Sequence, residues 1–130
     1  FSLHTISFNY PLKPTEQDKK YYLDFFTNFQ FVIPCSVCKK NYMRHLNEHP
    51  LINNLQNRKT LVYWVIDMHN MVNAEIGKKT LSYDNVMKKY NFVYKKKIVL
   101  DENEGNRDNS ENSENSENSE NNENVGLDIY

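Results

Sequence analysis

"FVIPCSVCKKNYMRHL", residues 31–46, holds both cysteines of the chain, with Pro34 directly before Cys35 and two residues between Cys35 and Cys38. A proline ends the helix before it and is tolerated where the next one begins, so Pro34 puts Cys35 at a helix start. Upstream, Tyr22, Phe25, Phe26, Phe29 and Ile33 recur at helical spacing behind Thr15 and Asp18, which resemble a capping box. Downstream, Lys39, Tyr42, Met43 and Leu46 carry the helical period on to about His49. A CxxC between two helices is not the strand–turn–helix setting of a thioredoxin-like redox protein.

The same punctuation runs outward in both directions. "FSLHTISF" reads as the later part of a helix stopped by Pro11 and Pro14. Pro50 breaks the CxxC helix, and a polar linker, "NNLQN", follows it. The longest helix is expected over about 58–76, with Leu61, Trp64, Val65, Met68, Val72 and Ile76 on one face and Gly77 as its stop. Ser82 can cap a last short helix carrying Val86, Met87 and Tyr90, and "NFVYKKKIVL" is ambiguous between extended chain and more helix. The expected fold is all-α, a four-helix bundle plus a short fifth helix.

One small domain over 1–100 is expected, followed by a tail over 101–130. The tail is an Asn/Ser/Glu repeat that cannot bury enough apolar surface to offset its ordering entropy, and it is expected to be disordered. It holds most of the acid, which leaves the first hundred residues basic. A solvated lysine-rich surface and a seat for an anionic ligand such as a nucleotide both fit that charge. The lysines are scattered over several elements, so nucleic acid is not expected as a partner. No apolar run is long enough for a membrane span. Residue 1 is not Met, and no targeting signal is visible.

At a helix start, unpaired N–H groups and the helix dipole stabilise a thiolate, and Lys39 and Lys40 add positive potential. Cys35 and Cys38, at i and i+3, can bond to each other, and an oxidised pair this tight is more in keeping with catalysis than with structure. Zinc is the competing reading, because His45 and His49 follow the cysteines. On one continuous helix His45 lies about 10 Å along the axis from Cys38, too far for a shared tetrahedral ion. No metal site is expected, and the two histidines are read as surface residues on a polar face. An inert CxxC of two small hydrophobes stays open.

The second informative stretch is "WVIDMHNMVNAEIGKK", residues 64–79. His69 and Asn73 lie one turn apart in an apolar stripe, Asn70 flanks them, and Lys78 follows the helix end. Such polar groups either satisfy one another inside the bundle or meet a ligand. His4, one turn before Phe8, poses the same question. Together with a CxxC they point to a buried flat aromatic ligand whose phosphates lie against lysines.

The ordered set Leu3-His4-Thr5, Tyr10-Pro11, Pro34-Cys35-x-x-Cys38, Trp64, His69-Asn70-x-x-Asn73 and Gly77-Lys78 resembles the Erv/ALR family of FAD-dependent sulfhydryl oxidases, over roughly residues 1–90. The resemblance implies that the bundle cradles FAD, commonly in a homodimer. By family pattern His4 contacts FAD, as does the stretch from Ile66 to Lys78, with His69, Asn70, Asn73 and Lys78 as its polar members. Tyr10 and Trp64 help wall the pocket. Lys89 and Tyr90 stand where relatives carry Arg-Trp, Tyr90 to stack on the adenine and Lys89 to offer a cation.

The chain departs from the family in three ways. The first-helix Trp of relatives falls just upstream of Phe1, so the chain is read as beginning late. Ile66 and Tyr83 occupy the slots of a second, structural disulfide. No further cysteines are present for a shuttle pair. Cysteine-poor members of this kind are familiar from large DNA viruses, which by analogy implies a host cytoplasm, virus factory or virion location. The implied activity is disulfide formation in substrate proteins. A dithiol, for instance on a thioredoxin-like shuttle protein, reduces the pair at Cys35, and Cys38 faces the flavin. O2 is the final acceptor and hydrogen peroxide the product. The competing reading is a catalytically inactive, dimeric helical interaction module.

Overall fold

The computed structural model describes residues 2–103, and all its regular elements are helical: α1 (Leu3–Phe8), α2 (Glu16–Val32), α3 (Ser36–Glu48), a 3-10 turn (Leu51–Asn54), α4 (Arg58–Glu75) and α5 (Tyr83–Tyr94). The expected all-α bundle is what forms. Beyond its first three residues, the tail expected over 101–130 lies outside the described residues.

Local chemistry sets most boundaries. Helix α1 opens under Ser2, whose hydroxyl accepts the Thr5 N–H. Thr15 and Asp18 form the expected capping box on α2. A second box, Asn57 with Thr60, starts α4 without the Glu or Gln that makes such a box legible in sequence. Gly77, at φ +71°, ends α4 in the left-handed region that favours glycine. Its amide bonds to Ala74 O, and the Lys78 amide bonds to Asn73 O at 2.8 Å.

Helix α4 is the axis of the molecule, packed by α1, α3, α5 and the 3-10 turn, while α2 pairs with α3. Two apolar clusters meet along it. The larger joins Leu3, Tyr10, Phe26, Tyr42, Leu61, Trp64 and Met68. The other joins Phe8, Val62, Ile66, Val86 and Tyr90.

Three expectations need correction, and one ambiguity is resolved. The "NNLQN" linker is not wholly polar surface, because its own Leu55, like Leu51 just before it, is buried and anchors the segment to the core. Ile76 is half exposed, since α4 has already ended at Glu75 and its face no longer points inward. "NFVYKKKIVL" takes both forms: helix as far as Tyr94, a left-handed turn at Lys95, then extended chain that buries Ile98 and Leu100. His45, read as a surface residue, is only 1% exposed. It lies one turn beyond Tyr42, and that face of α3 packs inward.

Candidate active site

Cys35 and Cys38 are joined as a disulfide, with Cα atoms 5.2 Å apart. Pro34 stands before the pair, and Cys35 is the N-cap of α3. Its Sγ accepts the Cys38 N–H at 3.3 Å, so a backbone donor already points at this sulfur. No acidic residue lies in the first turn to oppose a thiolate there. The two sulfurs differ in access: Cys35 is exposed, whereas Cys38 is half-buried and packs against the larger core cluster.

The histidines of the second constellation meet. His4 of α1 and His69 of α4 stack with ring centroids 4.3 Å apart, and Tyr90 of α5 tilts against His4 at 5.3 Å. The Tyr90 hydroxyl lies 3.2 Å from Ser2 Oγ, and Lys89 Nζ stands 5.7 Å from the Tyr90 ring centre. His69 Nδ1 is 2.9 Å from Val65 O. A carbonyl only accepts, so that nitrogen carries the hydrogen. His4 is buried and its Nδ1 has no hydrogen-bond partner among the described residues. Burial, with smaller contributions from His69 and Lys89, pushes the His4 pKa down to about 3.

The remaining family-pattern residues divide by what already engages them. Asn70 binds Leu81 twice, donating from Nδ2 to the Leu81 carbonyl and accepting the Leu81 N–H at Oδ1, each at 2.8 Å. It thereby pins the segment after Gly77 back onto α4. Tyr10 is fully buried and donates to Leu55 O at 2.8 Å. The Trp64 indole donates to His49 O at 2.9 Å. Ile66 is buried in the cluster that holds Tyr90. Asn73 is half-buried, and Lys78 is exposed beyond the helix end.

Two contacts escaped the sequence. Glu75, at the last turn of α4, accepts from His45 Nε2 at 3.0 Å and from Arg44, so it ties the CxxC helix to α4. Burial would raise the Glu75 pKa, but the hydrogen bonds from His45 and Arg44 outweigh it and hold the carboxyl below its usual range. A His at i+10 from a cysteine carries no signal; only the packing of α3 on α4 brings the groups together. The other contact is a clasp at Tyr83, in the slot where the resemblance implies half of a disulfide. Its ring stacks on Tyr63 at 4.1 Å, and its hydroxyl donates to Asp67 at 2.6 Å. That bond pushes the phenol pKa up to about 12.

Comparison with known proteins fits this arrangement. The chain is 47% identical over 81 residues to a protein of Acanthamoeba polyphaga mimivirus named "Probable FAD-linked sulfhydryl oxidase R368", a match covering 62% of this chain and 57% of the relative. It is 30% identical over 76 residues to the yeast "Mitochondrial FAD-linked sulfhydryl oxidase ERV1", covering 58% of this chain and 39% of the relative. This chain therefore spans about half the length of these curated relatives. A match at 26% identity to the "FAD-linked sulfhydryl oxidase" of African swine fever virus covers 75% of this chain and 77% of the relative. Among solved structures, the yeast Erv1 core superposes with a TM-score of 0.63 at 27% identity, covering 68% of this chain and 73% of that one. The sequence model of the Erv1 / Alr family matches residues 1–91, and the chain belongs to that family.

Proposed function

We propose that this chain is a sulfhydryl oxidase that forms disulfides in protein dithiols, using the Cys35–Cys38 pair and FAD, with O2 as final acceptor. The observation that carries the reading is the asymmetry of the pair: an exposed sulfur at a helix N-cap and a second one turned toward the core.

A substrate thiolate attacks Cys35 Sγ, the solvent-facing atom; the S–S bond breaks and Cys38 leaves as a thiolate. The second substrate thiolate attacks the substrate sulfur of this mixed disulfide, which releases the substrate disulfide and a Cys35 thiolate. The Cys38 N–H and the helix start hold that charge. Cys38, on the core side, is the sulfur placed to pass the electron pair inward. The chemistry FAD supplies when bound is acceptance of that pair and its return to O2 as hydrogen peroxide.

The residues fit such a group on one observation: the buried His4 Nδ1 has no partner among the described residues and lies among the rings of His69 and Tyr90. His4, His69 and Asn73 would offer polar contacts, Tyr90 a stacking face, and Lys78 and Lys89 charge for the phosphates. Tyr10, Trp64 and Ile66 would back the pocket, because their polar groups, where they have them, are already engaged. Asn70 would act by fixing the Leu81 segment.

A homodimer is part of the proposal. Tyr21, Phe25 and Val32 fall on one stripe of α2 and are 63%, 41% and 70% exposed, an apolar face suited to a second copy. The oxidase reading is tested by oxygen uptake and peroxide release with dithiothreitol as the dithiol. Uptake that Cys38→Ser abolishes supports it; no uptake by FAD-treated protein would favour the inactive interaction module.

A further inference from the structure

The first hundred residues carry fifteen Lys/Arg against seven Asp/Glu, whereas residues 101–130 carry ten Asp/Glu against one Arg. That division suits an internal contact if the body offers a place to receive the acid. It does, in a cleft of about 620 Å³ between α1 and the extended segment after α5. This volume lies within the range of clefts that bury ligands, roughly 300–1,000 Å³.

The lining combines apolar surface with one sign of charge. Phe8, Tyr94 and Ile98 provide the apolar part and Arg58, Lys96 and Lys97 the cations; none of the described lining residues is acidic. Arg58 donates from Nε to Tyr10 O at 2.6 Å and from Nη1 to Val99 O at 2.8 Å. These neutral carbonyls fix the guanidinium in the wall without cancelling its charge, and burial lowers its pKa. The smaller described cleft, about 270 Å³, has Glu16 among its lysines and lacks this bias.

We propose that the basic cleft binds residues 125–130 of the same chain, Val-Gly-Leu-Asp-Ile-Tyr. Leu127, Ile129 and Tyr130 match the apolar lining, and Asp128 with the preceding Glu120 and Glu123 matches the cations. Twenty-one residues, 104–124, separate the end of the described chain from this segment. They can reach at most roughly 70 Å, ample for a body of this size. The cleft wall at Ile98 and Val99 lies a few residues before the tail begins, so the segment stays near its seat at high effective concentration. The seat involves neither the CxxC nor any residue given a cofactor role above.

The test is backbone hydrogen exchange on the full chain at low and high salt. Residues 125–130 and 94–100 are expected to be protected at low salt. That protection should fall about tenfold or more in 0.5 M salt, since the interaction is partly electrostatic. It should fall similarly in Lys96→Glu/Lys97→Glu and, through the apolar contact, in Leu127→Ser/Ile129→Ser. Unprotected 125–130 amides at low salt would overturn the proposal, as would protection that both double variants leave intact. Protection that rises with protein concentration would assign the seat to a second copy's tail. Protection of 94–100 by added phosphate, with 125–130 unprotected, would assign it to a small anion. Either result would overturn the intramolecular reading.

Discussion

His4 of α1 and His69 of α4 stack face to face with ring centroids 4.3 Å apart and planes 20° from parallel. The contact joins positions 65 apart in sequence and places a neutral, buried imidazole beside the helix that carries the His-Asn-x-x-Asn motif. A proton on His4 would put charge into a desolvated site that Lys89 already disfavours.

Acid should therefore weaken the fold through His4. Its pKa is about 6.5 in the unfolded chain and about 3 in the fold, so the unfolded state takes up the proton first. The His4 contribution is fully present above pH 6.5 and is lost as pH falls toward 3, by about 2 kcal/mol at pH 5. Denaturant melts at pH 7 and pH 5 check this, and His4→Gln is expected to remove most of the difference. An acid loss unchanged in that variant would place its origin elsewhere.

The clasp between the CxxC helix and α4 should be measurable. Glu75→Ala leaves the buried His45 Nε2 without its acceptor and is expected to cost about 1–3 kcal/mol. Glu75→Gln keeps an acceptor oxygen and should recover part of that loss. Equal stability of the Ala variant and the parent would mean that the contact contributes nothing net.

Gly77→Ala is expected to cost about 1–2 kcal/mol because φ is +71° there. Nothing stands within 4 Å of the position a Cβ would take, so the cost would be conformational and Gly77→Asn should be milder. Thermal melts of the two variants give the comparison.

The two cysteines should fail differently. Cys35→Ser and Cys38→Ser are each expected to lower dithiol oxidation by roughly a thousandfold or more, since the pair acts as a unit. The lone thiol left in Cys38→Ser, Cys35, is exposed and should alkylate quickly; the one left in Cys35→Ser, Cys38, sits against the core and should alkylate slowly. The reverse order would exchange their roles.

Self-association through α2 is expected to be sensitive to charge. Tyr21→Glu/Val32→Glu should shift sedimentation toward the monomer while leaving helical content unchanged, because both side chains are exposed in the single chain. A parent chain that is already monomeric would contradict the dimer.

What the sequence disclosed was local. Pro34, the Thr15–Asp18 box, Ser82 and Gly77 act within four residues of themselves, and each marks an element boundary in the structure. His4 and His69 were legible as polar intrusions in apolar stripes, though only tertiary packing shows that they touch. His45 reads as a surface residue by type, although it lies one turn beyond the buried Tyr42, and Glu75, which accepts its Nε2 hydrogen bond, sits thirty residues away. Leu51, Leu55, Ile98 and Leu100 lie outside the α-helices, where no α-helical period exists to reveal a buried face. Asn70, expected as a ligand contact, also clasps the backbone of Leu81, a role that residue type alone does not reveal.

The visible absorption spectrum of the purified full chain tests the central claim most directly. The protein is expected to be yellow, with a flavin spectrum that dithiothreitol bleaches and air restores, and Cys38→Ser should stay yellow under dithiothreitol. A chain that remains colourless after incubation with FAD, or a bound flavin that bleaches equally well without Cys38, would contradict it.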